Sequence, residues 1–197
     1  QVCYNYYGDI MKISIGVSNR HIHLTKKHLD ILFGLDYELK KKNDLTQPNQ
    51  FACYETVTIK TEKSEINNVR VLGPIRNYTQ VEISKTDAYK LGLNPPVRDS
   101  GDIKNSSEIM VVGPNGEVKL EEGCIIPTRH IHLTKEHAKM YGLENKETVN
   151  IKLDGEKGGI ISNVHLKVMD EAFFELHLDT DDANAHLIKN GDIGEII

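Results

Sequence analysis

The seven residues Arg20-His21-Ile22-His23-Leu24-Thr25-Lys26 recur letter for letter as Arg129-His130-Ile131-His132-Leu133-Thr134-Lys135. A duplication of this kind limits the fold to two related halves, each of which has to bury its own apolar face. Fainter copies extend the pattern. His23 to Leu29 reaches Gly34-Leu35, and Glu82 to Ala88 reaches Gly92-Leu93. His132 to Ala138 reaches Gly142-Leu143, and His177 to Ala183 reaches Gly191. Each copy predicts a short strand, an N-cap at Thr25, Ser84, Thr134 or Asp179, and a helix of about two turns closed by the glycine.

Two residues before each N-cap stand His23, Glu82, His132 and His177, all of them metal-ligand types. In a strand, residues i and i+2 share a face, so His21 joins His23 and His130 joins His132. Parity turns each candidate away from the apolar stripe: Ile22 with Leu24, Val81 with Ile83, Ile131 with Leu133, and Phe174 with Leu176 and Leu178 take the other face. Chain order sorts the set into two triads: His21, His23 and Glu82, then His130, His132 and His177. Three protein ligands and an open position are the catalytic arrangement for zinc, whose nitrogen ligands sit at ~2.0–2.1 Å. The plain alternative is a solvated strand face left over from duplication. His28 and His137, three residues past their N-caps, are expected to reach back to the helix start. His165 reads as a solvated strand position, and His186 as a cation late in the last helix.

The 197 residues carry a formal net charge of −5, which disfavours sequence-independent nucleic-acid binding. Cys3, Cys53 and Cys124 form no close pair, which fits a reducing cytoplasm. No apolar run approaches the ~20 residues of a membrane span, and no secretory pattern opens the chain. Met11-Lys12 reads as a natural start, leaving Gln1 to Ile10 as an extension outside the repeat. Period-two segments such as Glu55–Lys60, Asn68–Leu72, Val149–Leu153 and Ile160–Val164 lie between turn signals such as Gly113-Pro114-Asn115-Gly116 and Asp154-Gly155. Many short strands with few short helices predict a mainly β fold of two small β-barrels, because a parallel sheet would need longer crossover helices. Residues 36–54 are expected to form a loop or a small-sheet excursion.

Longer strings carry a resemblance. Gly16-Val17-Ser18-Asn19-Arg20-His21-Ile22-His23-Leu24, Leu72-Gly73-Pro74-Ile75-Arg76, Thr79-Gln80-Val81-Glu82, Pro95-Pro96-Val97-Arg98-Asp99-Ser100-Gly101-Asp102 and Leu176 to Asn184 together resemble the phosphotransacylases of the propanediol-utilisation type. The likeness runs from about Ile13 to Ile197. It implies interconversion of acyl-CoA plus phosphate with acyl phosphate plus CoA, using two zinc ions on the two triads already read from parity. It also implies that Arg76 holds phosphate and that Val17, Ser18, Asn19, Arg70 and Asn184 contact CoA. In fold it implies two β-barrels with the active site between them, residues 10–19 joining 128–197 in one and 20–127 forming the other. Members housed in bacterial microcompartments carry an amphipathic N-terminal helix. Residues 1–10 show no helical apolar stripe, which leaves shell association in doubt and a microcompartment location open beside a cytoplasmic one. A homo-oligomer is compatible with the pattern but not specified by it.

The residue types suit the chemistry. Arginine grips phosphate with a planar fork and keeps its charge. Ser100, before Gly101, offers a hydroxyl to the same phosphate, although a plain turn serine fits nearly as well. Lys40, Lys41 and Lys42 read as a solvated face or as anchors for CoA phosphates. Because the substrates supply thiol and phosphate, direct transfer needs no protein nucleophile. Two other readings remain open: a zinc-dependent acyl-CoA hydrolase and a non-enzymatic metal-binding module.

Overall fold

The computed structural model describes residues 11–197; the readings of residues 1–10 as an extension without a targeting helix, and of Cys3, lie outside the described residues. Two compact units divide the chain. One joins the described residues up to Ser18 with Thr128–Ile197, and the other is Asn19–Pro127.

In the first unit six strands close into a barrel. They are β1 (Lys12–Ser18), β10 (His130–Thr134), β11 (Thr148–Leu153), β12 (Gly159–Met169), β13 (Glu175–Asp179) and β14 (Ile193–Ile196), in the ring order β1-β13-β10-β12-β11-β14. The pairs β1/β13 and β10/β12 are parallel; the others are antiparallel. The second unit contains β2 (His21–His23), β3 (Lys41–Asp44), β4 (Phe51–Lys60), β5 (Glu65–Gly73), β6 (Gln80–Glu82), β7 (Val97–Arg98), β8 (Ser107–Val112) and β9 (Glu117–Pro127). Its ring runs β9-β6-β2-β5-β4-β8 and closes through the β8/β9 pair, with β6/β9 and β2/β5 parallel. Strand for strand the two rings match. The duplication is therefore a duplicated barrel, with one exchange: β1 precedes β2 in sequence but closes the ring of β10, while β9 precedes β10 and closes the ring of β2.

Closure leaves no open edge in either ring. It also points one face of every strand inward. Ile22, Leu24, Val71, Val81 and Ile83 pack in one core, and Ile13, Ile15, Ile131, Leu133, Leu176 and Leu178 in the other, all at most 2% exposed. Burial of each such side chain is worth about 1.5–3 kcal/mol. Outside the ring β3 pairs with β4 as a hairpin, while β7 pairs with β9. Among the described residues no helix is long and apolar enough to cross a membrane.

Four helices follow four short strands: α1 (Lys26–Phe33), α2 (Lys85–Leu91), α3 (Lys135–Met140) and α4 (Thr180–Ala185). Their N-caps are Thr25, Ser84, Thr134 and Asp179, each accepting the backbone N–H three residues on. Gly34 caps α1, and Gly92 caps α2 with φ 70°, a conformation that suits glycine. Gly191 does not close α4. His186 is its C-cap and Leu187 takes the left-handed position at φ 57°, while the Gly191 N–H donates to Ile15 O. His186 thus sits beyond the helix, with Nδ1 2.9 Å from Lys157 O.

Candidate metal centres

Two antiparallel strand pairs place the triads. On β2/β6, His21 stands opposite Glu82 and His23 opposite Gln80. On β10/β13, His130 stands opposite His177 and His132 opposite Glu175. Because side chains alternate along a strand, these registers gather His21, His23 and Glu82 on one face and His130, His132 and His177 on the equivalent face. Within each triad the ligand atoms lie within 4.8 Å of one another.

The finer distances suit a cation. His21 Nε2 is 3.4 Å from Glu82 Oε2, and His130 Nε2 is 3.1 Å from His132 Nε2. Tetrahedral zinc with bonds of ~2.0–2.1 Å puts neighbouring ligand atoms ~3.3 Å apart. His21 Nδ1 lies 2.8 Å from Asn19 O, and His130 Nδ1 lies 2.8 Å from Thr128 O. A proton on each Nδ1, donated to these carbonyls, leaves the Nε2 lone pair for the cluster, the arrangement in which a ligand's other nitrogen fixes its tautomer. His132 Nδ1 meets Met169 Sδ at 3.1 Å. His23 Nδ1 is buried without a hydrogen bond of good geometry. Burial first, then the charges of His21 and Arg76, hold the His23 ring well below the usual imidazole range; Glu82 pulls the other way. His23 is therefore neutral near pH 7, the state a metal requires.

Each third ligand has a buried neighbour two residues earlier. Gln80 Nε2 donates to Glu82 Oε1 at 2.6 Å, and Glu175 Oε2 stands 2.8 Å from His177 Nε2. Gly16, opposite His177 on β1, makes room for this pair, since a Cβ there would come 3.0 Å from Glu175 Oε2.

Arg76 follows β5 and the cis Gly73-Pro74 peptide, and its N–H donates to Leu24 O at 2.9 Å. That bond ties it to the end of the His-x-His strand. Its Nη1 donates to Ser100 Oγ at 3.2 Å and to Tyr78 Oη at 3.3 Å. Ser100 Oγ also accepts from Gln80 Nε2 at 2.8 Å. A hydroxyl that accepts two bonds keeps its own proton to donate. Among the described residues no carboxylate pairs with Arg76.

The residues expected at CoA are placed less tightly. Val17 and Ser18 end β1, opposite Leu178 and Asp179 of β13, and exposed Asn184 lies on α4 in the same unit. Asn19 and Arg70 belong to the other unit. Arg70 is in register with His21, but its Nη1 donates to Cys53 O and Tyr54 O, so it also holds β4. Of the lysine run, Lys41 pairs with Asp44 on exposed β3. A cleft of about 530 Å³ is lined by Lys26, Tyr37, Leu39, Phe51, Pro74 and Ile75. It touches the segment before Arg76 but includes no triad residue.

His137 reaches back to the Thr134 N–H as expected, completing a capping box. His28 does not. Its Nδ1 meets Thr79 Oγ1 at 2.7 Å, and that hydroxyl also accepts from the Thr25 N–H, taking the role that His137 plays in the other half. His165 is half-buried, beside His130 on the parallel neighbour. Sequence reading missed the Arg20–Asp87 pair at 2.7 Å and the two-pronged Arg129–Asp182 pair at 2.6 and 2.7 Å. Both tie the heptamer's arginine to the third residue of a capped helix, and the equivalent spacing of Ser84 to Asp87 and Asp179 to Asp182 was the available signal.

Each barrel thus carries a matched cluster of three metal-ligand side chains, a candidate metal centre in each. The family model for phosphate propanoyltransferase matches residues 14–189. A phosphate propanoyltransferase of Thermotoga maritima is 47% identical over 186 residues, covering 94% of this chain and 89% of that protein. That of Priestia megaterium is 50% identical over 182 residues, covering 92% and 84%, and that of Lachnoclostridium phytofermentans 48% over 186 residues, covering 94% and 87%. The chain belongs to the phosphate propanoyltransferase family, whose members are phosphotransacylases.

Proposed function

We propose that this chain moves a short acyl group directly between CoA and inorganic phosphate, with one zinc ion on each triad. The observation that carries the reading is the first triad together with Arg76. His21, His23 and Glu82 converge, and Arg76 is close enough for its charge to depress His23. Zinc, when bound, stabilises a thiolate and polarises a carbonyl oxygen.

The protein's own part is positioning. Arg76 and the Ser100 hydroxyl orient the phosphate, whose oxygen attacks the thioester carbonyl. A C–O bond forms, the C–S bond breaks, and CoA leaves as thiolate and takes a proton from solvent. Val17, Ser18, Asn19, Arg70 and Asn184 are the proposed CoA contacts. Cys53 and Cys124 are unpaired and buried, and burial raises their thiols to about 11 and about 12. Neither is a thiolate near pH 7, which among the described residues supports direct transfer over an acyl-cysteine. Unpaired thiols also suit a cytoplasmic setting.

The test is phosphate-dependent cleavage of acetyl-, propanoyl- and butanoyl-CoA by protein of measured metal content. Release of free thiol without added phosphate refutes transfer in favour of hydrolysis. Two bound metals with no turnover refute the enzyme reading in favour of a metal-binding module. Recovery of acylated protein after mixing with acyl-CoA alone refutes the direct route.

A further inference from the structure

Gln80 has no exposed surface, and its amide makes three hydrogen bonds to neighbouring groups. The Gly101 N–H donates to its Oε1 at 2.8 Å, which fixes the amide's orientation, because only the oxygen can accept that bond. The nitrogen end then donates to Glu82 Oε1 at 2.6 Å and to Ser100 Oγ at 2.8 Å. Glu82 thus has one oxygen held by Gln80 and the other, Oε2, turned to His21 Nε2. Ser100 in turn accepts from Arg76. One buried side chain joins a metal-ligand carboxylate to the hydroxyl and guanidinium assigned to phosphate.

The other barrel supplies an internal control. Glu175 occupies the position of Gln80: two residues before the third ligand, opposite the second histidine of the pair, buried, and in contact with that ligand. The chemistry is complementary in each case. The carboxylate of Glu82 only accepts and receives an amide donor, whereas the imidazole of His177 can donate and meets a carboxylate. Packing alone would not require that match.

We propose that Gln80 is a positioning residue which aims Glu82 at the first centre and, through the same amide, sets the Ser100–Arg76 loop for phosphate. This inference rests on the transacylase reading above for its phosphate arm and on the triad alone for its metal arm. Outer-shell partners of this kind change metal affinity by about 10- to 100-fold.

The experiment compares zinc-loaded wild type with Gln80→Met, which keeps volume and removes all three bonds, and with Gln80→Asn, which keeps the amide but falls one methylene short. Each protein is dialysed against a weak chelator, then assayed for zinc per chain, melting temperature, and KM for phosphate and for acyl-CoA. Expected are loss of about one of two zinc ions and a phosphate KM raised about tenfold or more, with the acyl-CoA KM within about twofold. Should Gln80→Met fail to melt cooperatively, Gln80→Asn decides by the same readings. Full zinc retention with unchanged phosphate KM in a folded variant overturns the proposal and leaves Gln80 a packing residue. Equal rises in both KM values overturn it too, since they mark general loosening. The zinc result stands even if the wild type turns over no acyl-CoA, an outcome that counts against the transacylase reading alone.

Discussion

Replacing Arg76 by lysine separates a phosphate clamp from a structural cation. Arg76 Nη1 holds Ser100 Oγ and Tyr78 Oη at 3.2 and 3.3 Å, and its Cζ lies 5.8 Å from the Tyr78 ring. These contacts fix the plane of the guanidinium, so its remaining N–H groups are aimed before phosphate arrives. Lysine keeps the charge on one rotatable nitrogen and cannot hold both hydroxyls and a phosphate in that plane. Losing one hydrogen bond to a charged group costs about 1.5–3 kcal/mol. At about 1.4 kcal/mol per factor of ten, that predicts a phosphate KM raised about 10- to 150-fold. The bonds lost in the folded protein are to partly exposed hydroxyls, so the melting temperature should fall by no more than about 2–4 °C for a chain of this size. The assay follows phosphate-dependent cleavage of propanoyl-CoA, zinc content and thermal melting on the same preparation. Unaltered phosphate dependence, or a protein that loses zinc or unfolds, would refute the clamp and make Arg76 a structural residue of the segment after Pro74.

His130→Ala should release about one zinc per chain and spare the other, because His21, His23 and Glu82 come from different strands; elemental analysis decides it. Arg129→Met should cost about 1 kcal/mol in urea unfolding, the paired bond to Asp182 being discounted because the arginine is 39% exposed. In metal-free protein His23 is held below its ordinary value, so its contribution to stability is full above about pH 6.5 and is lost as pH falls through the lowered value. Unfolding free energy from pH 7.5 to 5.5, compared with His23→Gln, should show that excess loss in the wild type only, at no more than about 1.4 kcal/mol per pH unit.

What could be read from the residues was what has a local period. Side-chain alternation alone separated His21 and His23 from Ile22, and His177 from Leu176 and Leu178, and the cores hold those apolar neighbours. N-caps were legible because a Ser, Thr or Asp oxygen is needed at one place in each repeat. Less legible was anything decided by distant pairing. Lys12–Ser18 pairs with β13 and β14, partners that only the family resemblance, and nothing within the strand itself, announced. Thr79 displaced His28 from its helix start, and Leu187 took the place expected of a glycine; both follow from tertiary neighbours that no short window contains. Gln80 was quoted only as part of a motif, because a glutamine gains meaning here from the three groups that converge on it.

The two strand pairs also explain how duplicated centres can differ in ligands without differing in charge. Gln80 and Glu82 together carry one carboxylate, as do Glu175 and His177. In the first pair the candidate ligand is a carboxylate and an amide donates to it; in the second the candidate ligand is an imidazole and a carboxylate meets it. A divalent cation would therefore meet two imidazoles and a carboxylate on the first triad, and three imidazoles with a carboxylate one hydrogen bond away on the second. Direct contact neutralises more of the cation than contact through a ring. The second centre would be the more electron-withdrawing of the two, and the first the one whose anion-binding power depends on Arg76 beside it. On this scaffold Glu175→Gln should change the second centre's metal affinity while leaving phosphate KM near its wild-type value. A rise in phosphate KM matching that of Gln80→Met would show that the two centres do not divide their labour in this way.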